Sequence, residues 1–388
     1  MTKRTSYPRV YFELVFIGFA IMLGMGLIGA FLPILAKDLD PTGSLVGLVV
    51  SAWFLARVFI EIPSGFISDR VGRRRLFVLG IALSVVGSFL CAVAPSIYFL
   101  IAGRAIWGFG IALFFLNNTA ILFDLFDPAI RGRAIGTFQG IQMVGSLVGG
   151  PIGGVLVGVI GYNMVFYFTC AFTVLSLVLV FTLKDLKGLG GRASVALERI
   201  SLLDALSSLK SWPVFVVCLI CLTRMLIMSG LMSTVFQLYL HENLGFGVSF
   251  IGIIVGARTA GTIVATLASG HLSDRFGRKR IIFLGLVLQA PCLYAYTLVR
   301  PFETVLLIGF VDALGAGLTW ITLTVLLSDI VKPEYRGVAL GFYRTFMDVG
   351  GIMGPIVFML IATALGIHLP FIVGAILLLS MAGLAMTI

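Results

Sequence analysis

One eleven-residue loop occurs twice in this chain. Gly65-Phe-Ile-Ser-Asp69-Arg70-Val-Gly72-Arg73-Arg74-Arg75 returns 205 residues later as Gly270-His-Leu-Ser-Asp274-Arg275-Phe-Gly277-Arg278-Lys279-Arg280. Arg131-Gly-Arg-Ala-Ile-Gly136 and Arg336-Gly-Val-Ala-Leu-Gly341 repeat at the same offset, and Gly150-Pro151 and Gly354-Pro355 at one residue less. Each copy of the loop separates two long apolar runs. A duplicated polar loop between apolar runs predicts two equivalent halves, residues 1–184 and 212–388, joined by a linker over 185–211.

Composition places these halves in a bilayer. The chain is 60% hydrophobic and 11% charged, whereas soluble domains carry about 25% charged residues. A spanning helix needs roughly 20 predominantly apolar residues. Twelve runs meet that length, near 11–36, 44–68, 76–94, 96–124, 133–160, 163–184, 212–240, 247–271, 279–299, 302–329, 336–364 and 368–388. They are too long for barrel strands, and helices satisfy their own backbone in lipid. The expected fold is therefore an all-α membrane protein of twelve transmembrane helices in two pseudo-symmetric six-helix halves.

The net charge of +10 would suggest a nucleic-acid partner in a soluble protein. Here the Lys and Arg residues cluster on one side once the spans are drawn, at both loops, at Arg131, Arg133 and Arg336, and across the linker. That bias sets topology. It puts both termini in the cytoplasm and removes the need for nucleic acid. The apolar stretch from Val10 to Ala36 exceeds a signal-peptide core and reads as the first span. Within the linker, Leu202, Leu203, Leu206 and Leu209 recur at helical spacing after Ser201, so an amphipathic helix at the cytoplasmic surface is expected.

Motifs of soluble chemistry fail on context. Gly24-Met-Gly26-Leu-Ile-Gly29 has the letters of a dinucleotide fingerprint but sits mid-span, without the strand and helix start that chemistry requires. Cys218 and Cys221 share a helix face with no histidine nearby, and buried cysteine packs as a small hydrophobe. No nucleophile, base and orienter converge, so neither an enzyme nor a metal or cofactor site is expected.

These residues resemble the major facilitator superfamily, in motif pattern nearest to its bacterial drug:proton antiporter-like members. Both loop copies fit the family motif G-x-x-x-D-R-x-G-R-R/K-R without a gap. The resemblance implies alternating access and a conformational latch made by Gly65, Asp69, Arg70, Gly72, Arg73, Gly270, Asp274, Arg275, Gly277 and Arg278. Gly65 and Gly270 would permit close helix packing, Gly72 and Gly277 a tight turn. Asp69 and Asp274 would receive Arg73 and Arg278, or face a helix N-terminus of the opposite half. Leu100-x-x-x-Arg104-x-x-x-Gly108 resembles the fourth-helix motif of proton-coupled members. Gly145 with Gly149-Gly150-Pro151-Ile-Gly153-Gly154 resembles the antiporter motif, one residue short of its pattern.

Ionisable groups inside spans are costly and default to a functional role. They are Arg57, Glu61, Arg104, Arg224, Arg258, Asp312, Arg344 and Asp348. Glu61 follows Arg57 by four residues and Asp348 follows Arg344 by four, so each pair shares a helix face and suits an internal salt bridge. Arg104, Arg224 and Asp312 have no such local partner and, by the resemblance, face the central cavity. Asn117 and Gln142 add neutral polar groups for orienting a ligand. An excess of arginine favours an anionic or zwitterionic amphipathic solute, exchanged for protons. The alternative is a multidrug exporter of cationic or neutral lipophiles, with the arginines tied up structurally. Either way the partners are a small-molecule substrate and membrane lipid, the energy source is a proton gradient, and a monomer suffices.

Overall fold

A computed structural model describes residues 8–182, 211–332 and 335–388, apart from the side chains at 61–71, 124, 128, 129, 182 and 337. The expected linker helix over 201–211 lies almost wholly outside the described residues, as do the side chains of Glu61, Gly65, Asp69 and Arg70. All regular structure among the described residues is helical. The helices are α1 (Arg9–Gly29), α2 (Leu32–Leu39), α3 (Val46–Val71), α4 (Arg73–Ala92), α5 (Ile97–Leu125), α6 (Pro128–Thr182), α7 (Trp212–Leu226), α8 (Val248–Phe276), α9 (Arg278–Tyr296), α10 (Phe302–Ile330), α11 (Arg336–Leu365) and α12 (Leu369–Ala385). Helix α7 continues through two wide π-helical stretches, Ile227–Val235 and Tyr239–Asn243.

Eight helices among the described residues are long and apolar enough to cross a membrane. The expected spans 133–160 and 163–184 fall in one run, α6, bent at Gly161 where φ is +78°. Span 44–68 falls on α3 and span 368–388 on α12. The expected span 279–299 falls on α9, whose first turn carries Arg278, Lys279 and Arg280. Burial is that of a membrane protein. Leu267 and Val159 are 79% and 77% exposed on helix faces, while Asp312 and Asn118 are fully buried.

The chain forms two compact units, residues 1–29 with 52–196 and residues 30–51 with 197–388. The first unit packs α1 against α6, and α4 against α5 and α6. In the second, α7 and its π-helical extension pack against α11, and α9 and α8 against α10. Residues 30–51 belong to this second unit. Ser51 donates to the Ile352 carbonyl at 2.6 Å, and α2 touches the π-helical extension of α7.

Close approach of α6 to α1 explains the glycine run that resembles the antiporter motif. A β-carbon on Gly149 would lie 2.6 Å from the Leu23 carbonyl oxygen, and one on Gly145 2.8 Å from that of Phe19. In the second unit Gly350 and Gly354 of α11 meet the Leu222 and Leu226 carbonyls of α7 in the same way. Small residues let membrane helices approach closely where lipid gives no hydrophobic drive.

Candidate functional site

The buried polar groups of the second unit converge on Asp312, in the middle of α10. Arg258 of α8 donates to one carboxylate oxygen, Oδ2, through Nε at 3.1 Å and Nη2 at 3.0 Å. Gln289 of α9 donates to the other, Oδ1, at 2.8 Å. Three donors from two neighbouring helices thus hold a fully buried carboxylate. Removing one member of a buried pair leaves an uncompensated charge. The Arg258 guanidinium also lies 5.5 Å from the Phe236 ring centre. Above it Phe236, Tyr239, Tyr296 and Phe371 pack ring against ring, Phe236 and Tyr296 at 4.6 Å, and the Tyr239 hydroxyl donates to the Tyr296 carbonyl.

Arg224 also has internal partners. Nη2 donates to the Ala316 carbonyl at 2.6 Å, and the guanidinium lies 5.7 Å from the Trp320 ring. In the first unit Arg104 lies 4.7 Å from the Trp53 ring and 5.6 Å from that of Trp107, with the two indoles edge to face at 6.0 Å. Cation–π contact stabilises a desolvated arginine by about 2 kcal/mol. Arg57 lies over Phe54 at 5.8 Å.

Sequence spacing put Arg344 and Asp348 on one face of α11, where Arg344 is exposed and Asp348 buried. It had also left Asp312 without a local partner. The partner is Arg258, 54 residues away, and no sequence signal links the two. Nor did any pattern single out Gln289 or Trp53.

Neutral polar groups differ in their engagement. Asn117 donates back to the Leu113 carbonyl of its own helix. The amide of Asn118 is buried without a hydrogen-bond partner among the described residues, as is Nε2 of Gln142. Gln142 fills the space beside α1 that a side chain on Gly18 would need.

The second copy of the repeated loop is an ion-pair cluster. Gly277 has φ +91° and separates α8 from α9, a conformation that strains any residue with a β-carbon; Gly72 has φ +95° at the matching place. Arg278 pairs with Asp274 at 3.1 Å and with Asp329 of α10, and donates to Ser273 at 3.1 Å. Asp329 was not anticipated, although its repeat counterpart is Asp124 at the same 205-residue offset. In the first copy Arg73 donates to the Ala120 carbonyl at 3.1 Å. Arg275 is exposed over Phe276. Among the described residues, no atom of another helix lies within 4 Å of where a β-carbon on Gly270 would be.

A buried ion pair inside helices that present apolar faces outward suits a polytopic membrane protein. The family model of the Major Facilitator Superfamily matches residues 14–239 and 217–388, and the chain belongs to that family. It is therefore a multi-pass integral membrane protein and a secondary transporter working by alternating access, not an enzyme. The chain is 26% identical over 350 residues to the quinolone resistance protein NorA of Staphylococcus aureus, covering 89% of this chain and 88% of that one. It is 26% identical over 365 residues to multidrug resistance protein 1 of Bacillus subtilis, covering 92% and 90%. Among solved structures it is similar to a bacterial homologue of the human lysosomal transporter Spinster in an inward-facing, unoccupied conformation. The TM-score is 0.81 at 15% identity, covering 97% of this chain and 96% of that one. The nucleoside transporter NupG matches with TM-score 0.78 at 17% identity, covering 98% and 99%.

Proposed function

We propose that the chain is a proton-driven exporter of lipophilic cationic or neutral compounds in the bacterial inner membrane. The observation that carries this reading is the engagement of its membrane-embedded arginines. Arg258 is matched by Asp312, Arg224 by a carbonyl and an indole, and Arg104 by two indoles. An anion bound at these arginines would have to replace contacts made in a low-dielectric interior, although Nε of Arg104 and of Arg224 has no hydrogen-bond partner among the described residues. The expectation of an anionic or zwitterionic substrate rested on uncompensated arginine, so it gives way to the drug-export alternative. Relatives named for quinolone and multidrug resistance support the same choice.

On this reading Asp312 carries the proton and needs no cofactor. Twelve spans form the two halves 1–184 and 212–388 about the linker, with both termini cytoplasmic and the transporter working as a monomer. The two repeated loops stabilise the state closed to the cytoplasm and release as it opens.

Flux in proteoliposomes tests the proposal. With an imposed pH gradient, tetraphenylphosphonium and a neutral lipophile are expected to be exchanged for protons, and an amphipathic organic anion is not. Anion flux that disappears in Arg224→Ala would establish the anionic reading instead.

A further inference from the structure

We infer that Gln289 is the positioning residue that lets Asp312 take up a proton without leaving its buried site. The inference rests on the reading of Asp312 as the proton carrier and adds how the protein accommodates both states of the acid.

The two oxygens of Asp312 are in different surroundings. Oδ2 receives two N–H groups from Arg258. Arginine has donors only and does not deprotonate in a protein. A proton on Oδ2 would point at donors and find no acceptor. Oδ1 receives one N–H from the Gln289 side-chain amide, and that amide has a donor end and an acceptor end. In the carboxylate state Nε2 faces Oδ1. When a hydronium ion delivers its proton, an O–H bond forms on Oδ1 and water leaves. A half-turn of the amide then presents Oε1 as acceptor. The acid stays hydrogen-bonded in a place where an unpaired polar group is costly, and Arg258 keeps its contacts to Oδ2.

Packing holds Gln289 there. Asp312 and Gly315 lie three residues apart on one face of α10. A β-carbon on Gly315 would lie 3.1 Å from the Gln289 backbone nitrogen and 3.2 Å from its Cβ. The missing side chain at 315 thus admits the α9 backbone beside the acid. Gln289 is itself buried. The other groups facing Asp312 are Cys292 and Tyr296 of α9 and Arg224 of α7. Cys221 of α7 and Tyr343 of α11 are near Arg224, and Asp348 of α11 is near Cys221. Among the described residues, the side-chain hydrogen bond to Oδ1 comes from the Gln289 amide.

The test uses the full chain in proteoliposomes, with infrared difference spectra between acid and alkaline pH and the pH profile of tetraphenylphosphonium–proton exchange. Wild type is expected to show a carboxylic-acid C=O band that is absent in Asp312→Asn. In Gln289→Met that band moves to higher wavenumber, because the acid has lost its acceptor. The carboxylate loses a charge-assisted bond and the acid only a neutral one, so the exchange midpoint moves to roughly tenfold lower proton concentration, about one pH unit higher. Gln289→Glu, of the same shape, covers the case in which Gln289→Met fails to fold. A second acid there shares a proton with Asp312, and the band moves again. Band and profile unchanged in the folded variants would overturn the role of Gln289 while leaving Asp312 in place. Full proton-driven exchange in Asp312→Asn would overturn the proton-carrier reading itself, and this inference with it.

Discussion

Arg258 spans the gap from α8 to α10 and places two of its nitrogens on the same oxygen of Asp312, at 3.1 and 3.0 Å. Both residues lie inside the apolar stretch of their helices, and Asp312 has no exposed surface. The pair therefore carries two consequences, one for stability and one for coupling.

Arg258→Ala strands a carboxylate in a low-dielectric interior and is expected to cost about 3–5 kcal/mol. Replacing both partners, Arg258→Met with Asp312→Leu, removes the charges together and is expected to restore most of that stability. Exchange driven by a proton gradient is nevertheless lost in the double variant. Thermal unfolding in detergent and proton-driven flux, measured on the same three proteins, check the two halves of this expectation. A double variant as unstable as the single would contradict it.

The cluster at the second loop separates stability from transport. Arg278 and Asp329 are partly exposed, and exposed pairs contribute about 0–1 kcal/mol. Asp329→Asn is expected to leave the melting temperature nearly unchanged and to lower transport as far as Asp274→Asn does, because both remove an anchor of Arg278. Asp124→Asn tests the equivalent position of the repeat. Flux assays on the three variants decide it, and wild-type rates in Asp329→Asn would remove Asp329 from the latch.

The seam between α1 and α6 has no room for a side chain at Gly149. Gly149→Val would set a β-carbon 2.6 Å from the Leu23 carbonyl and 2.8 Å from Gly26 Cα. Overpacking of this kind costs about 1–3 kcal/mol. Gly136, with open space around it, is the control: Gly136→Ala is expected to fold as wild type. Comparison of melting temperatures separates a packing seam from a general intolerance of substitution.

Asp40 is the titrating group to watch outside the membrane. The Thr42 hydroxyl and the Leu45 backbone N–H hold its carboxyl below the ordinary value of 3.8, and Ser44 adds a third contact. A lowered folded-state value means that the carboxylate's contribution is present above the unfolded value and lost as pH falls through the folded one. Asp40→Asn is therefore expected to melt below wild type at neutral pH. The gap closes as pH drops below about 4. A pH-independent gap would show that charge is not what Asp40 contributes.

Much of the architecture was legible without coordinates. Long apolar runs in so weakly charged a chain leave helices in lipid as the stable solution, and the repeated loops fall at helix joints, α3 to α4 and α8 to α9. The fixed glycines also declared themselves: Gly72 and Gly277 both adopt positive φ, where a β-carbon would be strained. Local rules of this kind act over a few residues, so sequence spacing captures them. They reached less far at the charges, because i, i+4 spacing brings two side chains to one face without saying what that face meets. Arg258 and Asp312, 54 residues apart, share no such spacing.

What the sequence by itself determined was the solvent, the helical class, the repeat and the inventory of charges that must be satisfied inside the membrane. Only the tertiary structure decided how they are satisfied. Asp312 meets Arg258 from 54 residues away and Gln289 from 23, and Arg104 meets Trp53 from a different helix. The physical reason is that a buried charge selects its partner by distance and orientation in three dimensions, and those follow from which helix faces pack together. That choice gave Arg258, Arg224 and Arg104 internal partners, where an apparent excess of arginine had suggested an anionic substrate.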